Sequence, residues 1–153
     1  MKPRSWFCGI LILLAVSTAC AGTFDSWYRR ARIQFAGYDR AESLTSFPVL
    51  VQLSTNLIPD FGYDQFSFPA DGADLRFGAS NEMDELDYEI ERWDTNGTSL
   101  VWVRVPELSD TNVFIWAYWD NNEATAPPCT TNGAAWSGGY AGVWHLRETN
   151  AAD

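Results

Sequence analysis

The sequence predicts an all-β fold, an antiparallel β-sandwich of jelly-roll-like type, on three observations. Short runs of strand-forming residues recur roughly every dozen positions, with clusters of Asn, Asp, Gly, Pro and Ser between them. Within the runs apolar and polar residues alternate, the two-residue period of a half-buried strand. No segment sustains the period of about 3.6 residues that an amphipathic helix requires.

The clearest element is a hairpin from Leu86 to Pro106. Leu86, Tyr88 and Ile90 alternate with Asp87, Glu89 and Glu91, and Val101, Val103 and Val105 alternate with Leu100, Trp102 and Arg104. Asn96-Gly97 lies between the two runs, and both residues tolerate the positive φ of a tight hairpin turn. Ahead of it, a first strand is expected over 27–35, with Ile33 and Phe35 inward and Arg30, Arg32 and Gln34 outward. A second strand is expected over 47–53, with Pro48 tolerated near its start, where the missing N–H matters least. Residues 54–73 read as a long loop from which Phe61, Phe66 and Phe68 fold back onto the core. A short strand at 74–77 and a polar turn at 79–85 follow. After the hairpin, 113–119 is apolar on both faces, as befits a central strand. Asn121–Thr125 could hold a short helix, 123–139 reads as a linker or long surface loop, and 142–146 as one more strand. The predicted organisation is a β domain over 22–122, the 123–139 linker, and 140–153 as its last strand or the start of an incomplete second β domain.

Residues 1–21 have the layout of a secretory signal: Lys2 and Arg4, an apolar stretch from Trp6 to Val16, and Ala19-Cys20-Ala21 ahead of Gly22. The apolar stretch falls short of the roughly 20 residues of a membrane-spanning helix, so the mature chain is expected not to span a membrane. Lipoprotein processing at Cys20 is the second route the sequence offers. Either way the protein is expected outside the cytoplasm, at the cell surface, in the periplasm or extracellular. Cleavage after Ala21 leaves eight arginines, no lysine and twenty acids. That balance argues against nucleic acid or anionic membrane surfaces as partners, since phosphate binding needs basic patches. Cys129 becomes the single cysteine, so no internal disulfide can form, and with His145 the single histidine there is no Cys/His set for zinc.

Two groups of residues could carry chemistry. Glu82, Asp84, Glu85, Asp87, Glu89, Glu91 and Asp94 put seven acids into thirteen residues. Glu89 and Glu91 share a strand face and could approach the roughly 5–9 Å spacing of glycosidase carboxylates, or join the six to eight oxygens that calcium takes. The plainer reading is the solvated face of an edge hairpin, where charge guards against pairing with another chain. Aromatic residues form the second group. Trp102 and Arg104 share one strand face, and Phe114, Trp116 and Tyr118 share one on the next strand. If those faces adjoin, Trp102, Arg104, Trp116 and Tyr118 make a platform on which sugar rings stack while polar neighbours hold the hydroxyls. The alternative is that these rings fill the core or pack against another domain. Asp71 and Asp74, in Asp71-Gly72-Ala73-Asp74, are weak calcium candidates that turn chemistry also explains. No other cofactor is indicated, and no catalytic residue can be named, because no nucleophile motif accompanies His145.

Several stretches in one order carry a family resemblance. They are Trp27-Tyr28-Arg29, Phe47-Pro48-Val49-Leu50-Val51, Gly72-Ala73-Asp74-Leu75-Arg76-Phe77, the run from Leu86 to Asp94, Val101-Trp102-Val103-Arg104-Val105-Pro106, and Gly142-Val143-Trp144-His145-Leu146. Together they resemble the bacterial domain of unknown function DUF2341. The resemblance implies an exported surface or envelope protein. It also implies that the last of these stretches opens a following concanavalin A-like, laminin-G-type domain, so that the chain is a piece of a longer protein. It implies no catalytic residues. The function expected is therefore a non-catalytic module that binds glycan. The alternative is a purely structural spacer that supports a neighbouring lectin-like domain of the same protein, and a carbohydrate-active enzyme fragment is a more distant third.

Overall fold

The computed structural model describes residues 22–145. The expected signal sequence, Cys20 and the segment from Leu146 to Asp153 lie outside these residues. Six strands form two antiparallel three-stranded sheets. β1 (Arg29–Gln34), β6 (Phe114–Trp119) and β3 (Arg76–Gly78) make one sheet in the order β1-β6-β3. β2 (Leu44–Leu53), β5 (Ser99–Leu108) and β4 (Tyr88–Arg92) make the other in the order β2-β5-β4. The all-β sandwich expected from the period-two patterning is the observed fold.

The alternation read from the sequence is the alternation that builds the core. Val101, Val103 and Val105 of β5 and Ile115, Ala117 and Trp119 of β6 are almost wholly buried, as are Tyr88, Phe77, Leu75 and Leu53. They form one apolar cluster contributed by both sheets. β6, apolar on both faces, is the central strand of its sheet, and the acid-bearing β4 is an edge strand. Pro106 has no N–H to give the ladder. The β2–β5 pairing runs through Thr45↔Glu107 and Phe47↔Val105 and omits Ser46, whose φ is 50°.

The long loop from 54 to 75 closes one part of the sandwich. Phe61, Tyr63 and Phe66 are buried and pack against one another and against Trp119 and Trp93 at centroid distances of 5.1–6.3 Å. Phe68, expected in this cluster, is 37% exposed instead. Its backbone N–H is tied to the Asp74 carboxylate at 3.1 Å. Gly72 takes φ 67°, and a Cβ there would sit 2.7 Å from the Trp93 ring, so glycine serves both the turn and the close approach. Tyr63 Oη donates to Leu53 O at 2.7 Å and accepts from the Ser99 N–H at 3.1 Å, which fastens the loop to the start of β5.

Asp74 is fully buried and organises this region. Its Oδ2 accepts from the N–H groups of Ser67 at 3.0 Å and Asp120 at 2.9 Å, and Oδ1 from Phe68 N–H at 3.1 Å. The Trp27 indole donates to the Asp74 carbonyl at 2.8 Å. Arg76 is also buried; it pairs with Glu85 at 3.1 Å and donates to the carbonyls of Ala73, Leu75 and Thr125. Tyr88 lies nearby and donates to Leu75 O at 2.6 Å. Burial pushes the Tyr88 phenol well above the ordinary tyrosine range, with the Arg76 charge opposing.

Residues 120–125 form a turn, closed by Ala124 N–H on Asn121 O, and no helix. The 123–139 stretch, expected as a linker or surface loop, contains α1 (Cys129–Asn132) and a 3-10 turn at Ala134–Trp136. These lie against the sandwich, with Cys129 and Ala135 buried, because the stretch has apolar side chains to bury there. Burial pushes the Cys129 thiol up. Gly142–His145 form no strand.

Two outcomes follow from this packing. Asp74→Ala leaves several N–H groups without an acceptor and is expected to lower the unfolding free energy in urea by about 3 kcal/mol. The Tyr88 phenol holds its proton more tightly when folded than unfolded. Its contribution is therefore fully present below a pH of about 10 and lost as the pH rises beyond it. Tyr88→Phe is expected to cost about 1 kcal/mol at neutral pH through the lost hydrogen bond. It should also flatten the decline of stability measured by urea unfolding between about pH 9 and 11.

Candidate functional site

The expected platform of Trp102, Arg104, Trp116 and Tyr118 is not one surface. β5 pairs with β2 and β4, whereas β6 pairs with β1 and β3. Both strands bury their odd-numbered side chains in the common core, so their even-numbered side chains point outward from opposite sheets. Succession in the chain suggested that the strands adjoin, but the turn between them crosses from one sheet to the other.

On the outer face of the β2-β5-β4 sheet the chain covers its own tryptophan. The Trp136 ring lies 5.1 Å from Trp102, and its Nε1–H donates to Glu89 Oε2 at 2.9 Å. His145 stands edge-on to Trp136 at 5.7 Å, with Nε2 3.1 Å from Glu89 Oε1 and Nδ1 against Glu91. Tyr140 meets Trp136 edge-on at 5.9 Å. Arg104 pairs with Asp87 on the same face. The carboxylates considered for glycosidase chemistry or calcium are thus engaged by Trp136 and His145, holding the 129–145 segment to the sheet. Sequence reasoning missed Trp136 as a functional contact. Its signal was a large aromatic residue set in a Gly/Ala-rich stretch, an unusual occupant for a solvated linker.

The outer face of the β1-β6-β3 sheet is built differently. Register places Arg32 opposite Trp116 and Gln34 opposite Phe114. The Arg30 guanidinium lies 4.5 Å from the Trp116 ring centroid and that of Arg32 lies 4.0 Å from Phe114. Arg30 pairs with Glu82 and Arg29 with Asp120 at 3.3 Å. Arg32 donates to Gln34 Oε1 at 2.9 Å, and Gln34 Nε2 donates to Thr111 O at 2.8 Å. Tyr118, expected in the platform, is only 2% exposed, because Phe24 stacks on it at 4.1 Å with the rings nearly parallel. Phe24 can lie there because Gly78 has no Cβ, which would meet the Phe24 ring at 2.8 Å. Burial pushes the Tyr118 phenol up, and the Arg30 guanidinium opposes this.

The two aspartates considered for calcium have other work. Asp71 Oδ1 accepts the Ala73 N–H at 3.1 Å, an Asx turn. Asp74 spends its lone pairs on backbone donors, which occupy the positions a cation would need. Among the described residues, no group of three or more His, Cys, Asp or Glu is placed to hold a metal ion, and no helix is long and apolar enough to cross a membrane.

The segment that carries the Asp74 and Arg76 anchors, β3 to β6 and the Trp102–Trp136 contact is also the one that known proteins share. Residues 71–136 match the domain of unknown function DUF2341. The stretches at Trp27, Phe47 and Gly142 that took part in the resemblance lie outside the matched residues. No curated protein and no solved structure matches the chain. The matched stretch runs through α1 and the 3-10 turn to Trp136, the residue that packs on Trp102.

Trp136→Ala removes both the ring contact with Trp102 and the hydrogen bond to Glu89. It is expected to weaken the docking of residues 129–140 by about 2 kcal/mol, read as roughly thirtyfold faster amide exchange confined to that stretch. Unchanged exchange would show that Trp136 is not the anchor.

Proposed function

We propose that this chain is a non-catalytic module of an exported bacterial surface or envelope protein, and that it binds glycan on the outer face of the β1-β6-β3 sheet. The observation that carries this reading is the interleaving of Trp116 and Phe114 with Arg30 and Arg32 on one half-exposed strand pair. Planar guanidinium groups backed by aromatic rings offer a sugar a flat surface and donors for its oxygens. They stand on paired strands, which hold such a constellation more rigidly than loops do. The edge of β1 also borders an open cleft of about 530 Å³ lined by Tyr28 to Arg32, Ile58 to Asp60 and Trp119.

A second reading has its own observation. The 129–145 segment is fastened to the other sheet by Trp136 and His145, so the domain also suits the task of orienting a neighbouring lectin-like domain. The two roles use opposite faces and do not compete.

Retardation of the purified protein in affinity gels containing polysaccharides tests the glycan reading. The wild type is expected to be retarded by at least one polysaccharide, and Trp116→Ala to lose about tenfold in affinity, a loss of about 1.4 kcal/mol. Retardation by none of the gels would leave the structural role standing alone.

A further inference from the structure

We infer that the glycan taken by this face is acidic, with uronate carboxylates held by Arg32; the inference rests on the glycan reading above. Three arginines lie within β1, and they are not equivalent. Arg29 and Arg30 are matched by Asp120 and Glu82. Arg32 has no carboxylate partner among the described residues; its recorded polar contact is the neutral amide of Gln34. A guanidinium presents five N–H donors in a planar fork, and a carboxylate takes two of them in parallel, which a hydroxyl cannot do.

Geometry turns the same face away from neutral sugars. The Arg30 and Arg32 guanidinium groups lie over the Trp116 and Phe114 rings, so those ring faces are already occupied. What the strand pair presents outward is guanidinium. The outward N–H groups of these guanidinium groups are donors without an acceptor of their own. A ligand rich in oxygen acceptors complements them.

Arg32 also stands where two open clefts meet. The first, already described, contains the Asp60 carboxylate as well as the arginines. The second, about 370 Å³, is lined by Arg32 to Phe35, Leu50 to Gln52 and Leu57 to Pro59. Leu50 and Leu57 are 38% and 57% exposed, an apolar shelf beside a charged fork. A uronate ring has the matching halves, an apolar C–H face and a carboxylate at its rim. The chain as a whole is strongly acidic, which repels a polyanion at long range. At about 0.15 M salt that field is screened beyond about 8 Å, while the contact at Arg32 is shorter and persists.

The test is titration of the purified protein with trigalacturonate, with its fully methyl-esterified form and with hexaglutamate, at about 0.15 M salt, followed by tryptophan fluorescence. Trigalacturonate is expected to bind at least about tenfold more tightly than the ester, which has the same rings without the charge. Arg32→Gln is expected to abolish that difference by weakening trigalacturonate binding more than ester binding. Arg32→Lys, which keeps the charge and loses the fork, should recover only part of it. Melting curves of both variants should match the wild type, since Arg32 is exposed. Equal binding of acid and ester would overturn the acidic inference and leave the glycan reading intact. Hexaglutamate binding as tightly as trigalacturonate would overturn it in another way, by showing an anion site with no preference for sugar. Binding of no uronate, with retardation on neutral polysaccharide gels, would overturn it as well; failure on every glycan removes both readings.

Discussion

The buried carboxylate of Asp74 is the constraint on which much of this structure depends. A charged group without water is tolerated when its oxygens are filled by hydrogen-bond donors. Here the donors come from Ser67 and Phe68 in the long loop and from Asp120 at the end of β6. One side chain therefore ties a loop that precedes β3 to the strand that pairs with β3. Trp27 adds the chain just before β1 through the Asp74 carbonyl. Arg76, two residues later, adds Glu85 and Thr125. Segments distant in sequence thus meet at one buried polar node between apolar layers.

That node explains how a loop of some twenty residues can be part of the core. Loop backbone carries polar groups that burial would leave unsatisfied. Asp74, Tyr63 and Ser99 supply partners for them, and this lets Phe61, Tyr63 and Phe66 reach Trp119 without leaving unpaired groups behind. Phe68, whose N–H is also held by Asp74, keeps its ring part-exposed.

The two outer faces show how aromatic side chains on a sheet surface find cover. On the β2-β5-β4 sheet Trp102 is covered by Trp136 from the following segment, which Glu89 and His145 help to hold. On the β1-β6-β3 sheet Tyr118 is covered by Phe24 from the preceding segment, while Trp116 and Phe114 are covered by arginines of the adjacent strand. A hydrophobic cover is closed to solvent. A guanidinium cover keeps its charge at the surface, because the cation lies on the ring face with its N–H groups still able to donate. This difference is why we propose a binding role for the arginine-bearing face and a docking role for the tryptophan-bearing face.

Local patterning determined the class of fold, most of the strands and the core face of the hairpin, and the two-sided apolar run at 113–119 determined the central place of β6. Each of these depends on residues close in sequence: successive side chains on a strand point to opposite faces, and burying one face selects the apolar set. The tertiary structure alone decided which strands are neighbours. Val113–Trp119 follows the hairpin in the chain yet pairs with Arg29–Gln34 and Arg76–Gly78, so Trp102 and Trp116 face opposite ways. It also decided that Trp136 and His145 return to Glu89, and that among the described residues Arg32 is left without a carboxylate while Arg29 and Arg30 are matched. Local patterning carries no information about these pairings, because they are set by the packing of whole sheets and by side chains dozens of residues apart.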